Sequence, residues 1–114
     1  MRRSYSIYVV ELSKKVWTDS ARFRKENPQF NGVLECLYVG MTSRTPKIRF
    51  EQHIHGYRSR KGIKLSSYFV EKYGMYLRPS LYNHIGKLNR QEAIAMEKQL
   101  ALELKRQRYA VWSN

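Results

Sequence analysis

The sequence predicts an α/β domain of the α+β type, with a small, central, mainly antiparallel three-stranded sheet flanked by helices. Three observations predict it. Tyr5 to Leu12 and Val33 to Met41 are rich in aliphatic, β-branched and aromatic residues, as buried strands are. Thr45-Pro46 pairs an N-cap residue with proline at the first helical position, and Asn89 with Glu92 forms a capping-box pattern. The 114 residues, 42% of them hydrophobic, suffice for one core and not for two, so 1–114 is read as a single domain.

The first strand follows the basic start Met1-Arg2-Arg3. From Ser13 to Gly32 the character changes. Lys14, Lys15, Arg22, Arg24 and Lys25 appear, and Asn27-Pro28 and Asn31-Gly32 are turn signals, so 13–32 reads as a basic connection. Val33 to Met41 then pairs antiparallel with the first strand. A short helix over 46–55 is stopped by Gly56; Phe50 and Ile54 share one side of it, while Arg49 and His53, four apart, stack on a neighbouring stripe. A second helix is expected from about Leu65 to Tyr73, ended by Gly74, and a third, short strand from Met75 to Leu77, limited by Pro79. The last helix runs from its Asn89 cap to Gln107, with Ala93, Met96, Leu100, Ala101 and Leu104 on one face. Tyr109 to Trp112 is short and β-prone, a minor edge strand.

Charge narrows the partner. Lys and Arg number 22 against 9 Asp and Glu, a net charge of +13, and such a field points to a polyanion, with nucleic acid favoured. Apolar runs such as Ile7 to Val10 fall far short of the roughly 18 residues a membrane span needs, and are equally short for a signal peptide. The single cysteine, Cys36, makes no intrachain disulfide and fits a reducing cytoplasm.

One residue breaks the pattern of the last helix, because Glu97 falls inside its apolar face. Burying an unpaired carboxylate costs several kcal/mol. It therefore pairs with one of the basic residues, sits solvated at the stripe's edge, or binds a metal ion in a cleft.

With Glu97 the landmarks form an ordered set: Ser6-Ile7-Tyr8 in strand one, Tyr38-Val39-Gly40-Met41-Thr42 in strand two, Arg49-Phe50-Glu51-Gln52-His53 and Gly56 on the next helix, and Glu92-Ala93-Ile94-Ala95-Met96-Glu97-Lys98 on a later one. This order resembles the GIY-YIG endonuclease superfamily over Tyr5 to about Leu104. Each tripeptide is weak by itself; the order carries the resemblance. Ser6 stands where the family has glycine and Val39 where it has isoleucine. Tyr8 and Tyr38 are also far apart for a family that commonly joins these strands by a short hairpin, so 13–32 looks like a basic insertion.

The resemblance implies metal-dependent hydrolysis of a phosphodiester, with DNA favoured over RNA and with low sequence specificity or a preference for structured or single-stranded substrate. Glu97 would ligate one divalent cation, Mg²⁺ or Mn²⁺, hard ions that prefer carboxylate and water. Arg49 would hold the scissile phosphate with its planar fork. Tyr8 or Tyr38 would take the proton from the attacking water or orient it, which requires help because an unperturbed tyrosine titrates near ~10. His53 would assist proton transfer or bind phosphate, and Gly40 would admit substrate close to the strand end. Taken singly, strand tyrosines are usually packing residues and an Arg/His pair on a helix is usually a solvated face.

Phosphate-positioning candidates are Lys14, Lys15, Arg22, Arg24 and Lys25 in the insertion and Arg58, Arg60, Lys61 and Lys64 after the 46–55 helix. His55 and His84 read as surface residues, Cys36 as buried and inert, and Glu92 as a cap. The alternative is a non-catalytic DNA- or RNA-binding module on the same scaffold, including a ribosome-associated one. So small a surface leaves room for a protein partner that supplies targeting, and the chain is expected to be a monomer or weak homodimer.

Overall fold

The computed structural model describes residues 3–55 and 68–113. Strands β1 (Ser6–Leu12), β2 (Cys36–Thr42), β3 (Gly74–Leu77) and β4 (Ala110–Ser113) form one sheet in the order β3-β1-β2-β4. Its helices are α1 (Lys15–Asp19), α2 (Ala21–Glu26), α3 (Pro46–His55), α4 (Tyr68–Tyr73) and α5 (Arg90–Arg106), with a 3₁₀ turn at Pro79–Leu81. Among the described residues no helix is long and apolar enough to cross a membrane.

The pairing of β1 with β2 is antiparallel, as the two apolar runs predict, and it places Tyr8 opposite Gly40 and Val10 opposite Tyr38. Ile7 to Val10 and Cys36 to Gly40 are buried without interruption, so helices cover the sheet on both sides. β3 pairs antiparallel with β1.

The sheet corrects the expectation of a mainly antiparallel three-stranded core: the edge strand expected over 109–112 is β4, a full fourth member that runs parallel to β2 and makes the sheet mixed. Its Ala110 and Val111 are completely buried. What sets this strand is the end of α5. Arg108 takes a left-handed φ of 79°, while the amides of Arg108 and Tyr109 donate to the carbonyls of Lys105 and Leu104, a Schellman turn that sends the chain back along β2. Arginine gives no sequence signal for that turn; glycine would have. At the other end of α5 the capping box is present in both directions, Asn89 Oδ1 with the Glu92 amide and Glu92 Oε1 with the Asn89 amide.

Residues 13–32 are a second correction. They are not only a basic insertion, since α1 and α2 drive Val16 and Phe23 fully into the core. Trp17 lies edge-on to Phe23 and against Phe30. Helices of five and six residues are too short to show a period in sequence. β2 also starts later than Val33, which is 74% exposed, because Asn31 Oδ1 accepts from the amides of Val33 and Leu34 in a turn through Gly32 at φ 77°. Of the second expected helix, Tyr68–Tyr73 is described, while 65–67 lie outside the described residues.

Asn27, expected only as a turn residue, ties this segment to the sheet. It is completely buried, its Oδ1 accepting from the Val111 amide at 2.6 Å and from Gln29 Nε2 at 3.0 Å, while its Nδ2 donates to the Phe23 carbonyl at 2.9 Å. Asn27→Ala leaves a β4 amide and an α2 carbonyl unpaired, and is expected to cost about 3 kcal/mol in urea unfolding. A loss below roughly 1 kcal/mol would show that water replaces these bonds.

Candidate active site

Period-two alternation puts Tyr8 and Val10 of β1 on one face of the sheet, together with Tyr38 and Gly40 of β2. α3 packs on that face. His53, which the resemblance assigns to proton transfer or phosphate binding, is 1% exposed, and its Nε2 lies 2.7 Å from Tyr8 Oη. Tyr38 completes the group, its ring centroid 6.1 Å from Tyr8 and 5.6 Å from His53, the latter edge-on. Three residues from three elements thus meet in one buried cluster.

Gly40 makes this possible. A Cβ there would stand 2.6 Å from both Cζ and Oη of Tyr8, so the ring lies directly across the bare backbone of β2. The glycine serves the tyrosine, whereas sequence reasoning assigns it to the approach of substrate.

Electrostatics distinguish the members. Burial holds the Tyr8 phenol well above its ordinary value; Tyr38 reinforces this, and Arg49 opposes it by charge and by hydrogen bonding. Burial lowers His53 to about 4, with the Arg49 charge adding to the effect, so the imidazole is neutral near pH 7. In the tautomer with its proton on Nδ1, Nε2 accepts from the Tyr8 hydroxyl. Arg49 is half-buried, donates to Gln52 Oε1 at 3.2 Å, and lines an open cleft of about 360 Å³ with Tyr5, Thr42 and Arg44.

Lowering His53 from 6.5 to about 4 has a consequence for stability. Between those values the unfolded chain takes a proton that the folded one refuses. Stability from this residue is fully present above pH 6.5 and is lost as pH falls through about 4, a change of up to about 3 kcal/mol. The difference in unfolding free energy between wild type and His53→Gln should therefore shrink as pH falls; a difference independent of pH would place the imidazole in water.

Glu97 is buried at 6% exposure on the inner face of α5, beside Ala93, Ala101 and Leu104. Among the described residues neither of the ordinary explanations holds. The side chain is not solvated, and among the described residues no hydrogen bond or ion pair reaches it, nor does one join it to the Tyr8 cluster. Desolvation raises its carboxyl to about 7, with Lys98 acting weakly the other way. Such a group takes up a proton or a cation. Among the described residues no three His, Cys, Asp or Glu side chains form a metal cage. A lone carboxylate fits the mode in which Mg²⁺ keeps its waters and binds through one or two carboxylates and a substrate phosphate.

The expected phosphate contacts divide. Lys14 Nζ donates to the Val33 carbonyl, and Arg24 Nη1 to those of Trp17 and Thr18, closing the end of α1. The Arg22 guanidinium lies over Trp112 at 4.9 Å and Phe69 at 5.5 Å. These three brace the segment that holds them, whereas no such contact is seen for Lys15 and Lys25 among the described residues; all five side chains are exposed. Arg58, Arg60, Lys61 and Lys64, with Gly56, lie outside the described residues. His55 and His84 are exposed and Cys36 is buried, its thiol pushed up to about 11 by burial, as expected. Sequence reasoning read Asn27 only as a turn residue and Tyr5 only as part of the first strand, and did not single out Arg44; the aromatic at Tyr5, two residues after Arg3, was the available signal for the cleft.

No model of a protein family, no curated protein and no solved structure matches this chain.

Proposed function

We propose that this domain is a metal-dependent nucleic-acid endonuclease of the GIY-YIG type, with DNA as its favoured substrate. The observation that carries the reading is the 2.7 Å contact between Tyr8 and His53, with Tyr38 packed on both and the Arg49 charge acting on both Tyr8 and His53. A phenol held well above its ordinary pKa is a poor base alone. It becomes useful in a relay: Tyr8 Oη takes a proton from the attacking water as its own passes to His53 Nε2, so no free phenolate forms. Hydroxide attacks phosphorus, the bond to the leaving oxygen breaks, and that oxygen is protonated from solvent. Arg49 holds the phosphate oxygens and stabilises the charge that grows on them. A phosphate on Arg49 also offsets the second cause that depresses His53, which improves it as the proton's acceptor. Glu97 would hold the divalent cation, Mg²⁺ or Mn²⁺, which when bound neutralises charge on phosphate and leaving group.

A second reading is favoured by one observation. Tyr8, Tyr38 and His53 are each 1% exposed, as in a packing core, which suits a nucleic-acid-binding module that keeps only Arg49 for phosphate. Incubation of supercoiled plasmid and of single-stranded and branched oligonucleotides with Mg²⁺, Mn²⁺ or EDTA decides between them. Cleavage that requires metal and is lost in Glu97→Ala, with Tyr8→Phe strongly impaired, supports the nuclease. Binding without hydrolysis in every topology supports the module.

A further inference from the structure

Two hollows flank the end of β1, and both are walled by Tyr5. One, about 400 Å³, lies between Tyr5, Arg3 and Arg90. The other, about 360 Å³, lies between Tyr5, Arg44 and Arg49. Among the described residues no carboxylate lines either one; Glu92, next to the first, turns its carboxylate back to the Asn89 amide.

The backbone between them is hydrogen-bonded on both sides. The Tyr5 amide donates to the Leu88 carbonyl at 2.7 Å and the Leu88 amide to the Tyr5 carbonyl at 3.0 Å, which locks Tyr5 to the start of α5. On the other side Ser6 pairs with Thr42, whose Oγ1 accepts from the Arg44 amide at 3.0 Å. An aromatic ring is thus held between two pairs of arginines, in a path that ends at Arg49.

We infer that this path is a groove for an unpaired nucleic-acid strand, with Tyr5 as a stacking platform and Arg3, Arg90 and Arg44 on the phosphates. The inference rests on the nuclease reading only in that the path leads to Arg49. A ring half-buried between two clefts meets the face of a base only if that base is free, since duplex bases are stacked on one another. A flat base with phosphate charge on either side matches one tyrosine with arginines on either side. The substrate class is therefore single-stranded or frayed nucleic acid.

Anisotropy titrations in EDTA with a labelled single-stranded oligodeoxynucleotide, and with the blunt duplex of the same sequence, test this. Wild type should prefer the single strand. Tyr5→Leu keeps apolar packing and removes the ring; it should weaken single-strand binding by roughly 5- to 100-fold and leave duplex binding unchanged, while Tyr5→Trp retains both. Arg44→Gln and Arg90→Gln should each lower the slope of log affinity against log salt by about 0.7. Should Tyr5→Leu melt early, the exposed Arg44 and Arg90 still decide, and unchanged slopes in both overturn the groove. Equal loss of single-strand and duplex binding in a folded Tyr5→Leu also overturns it. A wild type that cleaves DNA while the groove variants bind normally sinks the groove and spares the nuclease. A wild type that binds single strands through these residues without ever cleaving spares the groove and sinks the nuclease.

Discussion

Glu97→Gln is expected to make the metal-free protein more stable at alkaline pH while removing its cleavage activity. The stability result follows from burial alone. Glu97 sits at 6% exposure with its carboxyl raised from 4.5 to about 7. Between those values the folded chain holds a proton that the unfolded chain has lost. The penalty is therefore absent below pH 4.5, grows as pH rises, and is complete above about 7, where it amounts to up to about 3 kcal/mol. Glutamine keeps the shape and has nothing to ionise. Urea unfolding in EDTA at about pH 5 and about pH 8.5 should show the variant gaining far more at the higher value. A variant no more stable at either pH would mean that the ionised carboxylate is satisfied in solution.

The activity result follows from the proposed role, and the two are read separately. Loss of a carboxylate ligand should lower cleavage by at least about 100-fold, since the cation is worth several kcal/mol of transition-state charge. Added Mn²⁺ should raise the melting temperature of wild type and not of Glu97→Gln, because only the carboxylate links cation binding to folding. A variant stabilised at high pH yet fully active would leave Glu97 as a buried acid with no part in hydrolysis. Glu97 and His53 act in opposite directions over nearly the same pH range, so wild-type stability should vary little there.

Gly40→Ala is expected to disrupt the cluster more than the loss of any single hydrogen bond. The new methyl would lie 2.6 Å from Cζ and Oη of Tyr8, a ring that is itself 1% exposed and boxed in by Tyr38 and His53. With no space to swing into, the ring must be displaced along with its bond to His53. Overpacking of this kind costs about 1–3 kcal/mol, and under the relay it also lowers cleavage with little change in DNA affinity. In a Tyr8→Leu background the alanine should cost much less, a coupling that a double-mutant cycle measures. Normal stability with weakened DNA binding would instead restore Gly40 to the role of admitting substrate.

Legibility followed the range of the interactions. β1, β2, α3 and α5 were readable because each depends on neighbours in sequence: continuous apolar runs, a Thr-Pro start, and the reciprocal bonds of Asn89 and Glu92. α1 and α2 were not, since five- and six-residue helices are held by where Val16 and Phe23 land. At the site, the ordered landmarks singled out Tyr8, Tyr38, Arg49 and His53, and the structure brings these together. It gives Lys14, Arg22 and Arg24 structural work that charge counting cannot separate from phosphate binding.

The sequence by itself determined the α+β class, the antiparallel pairing of the two apolar runs, the capped final helix, the basic surface, and the anomaly at Glu97. Local propensity, capping chemistry and residue spacing suffice for those. Only the tertiary structure decided that β4 lies parallel to β2, that Gly40 makes room for the Tyr8 ring, that Tyr8 meets His53, and that Glu97 is buried with no partner among the described residues. Each of those depends on which distant groups share a volume from which water is excluded, and a residue's neighbours along the chain carry no record of that.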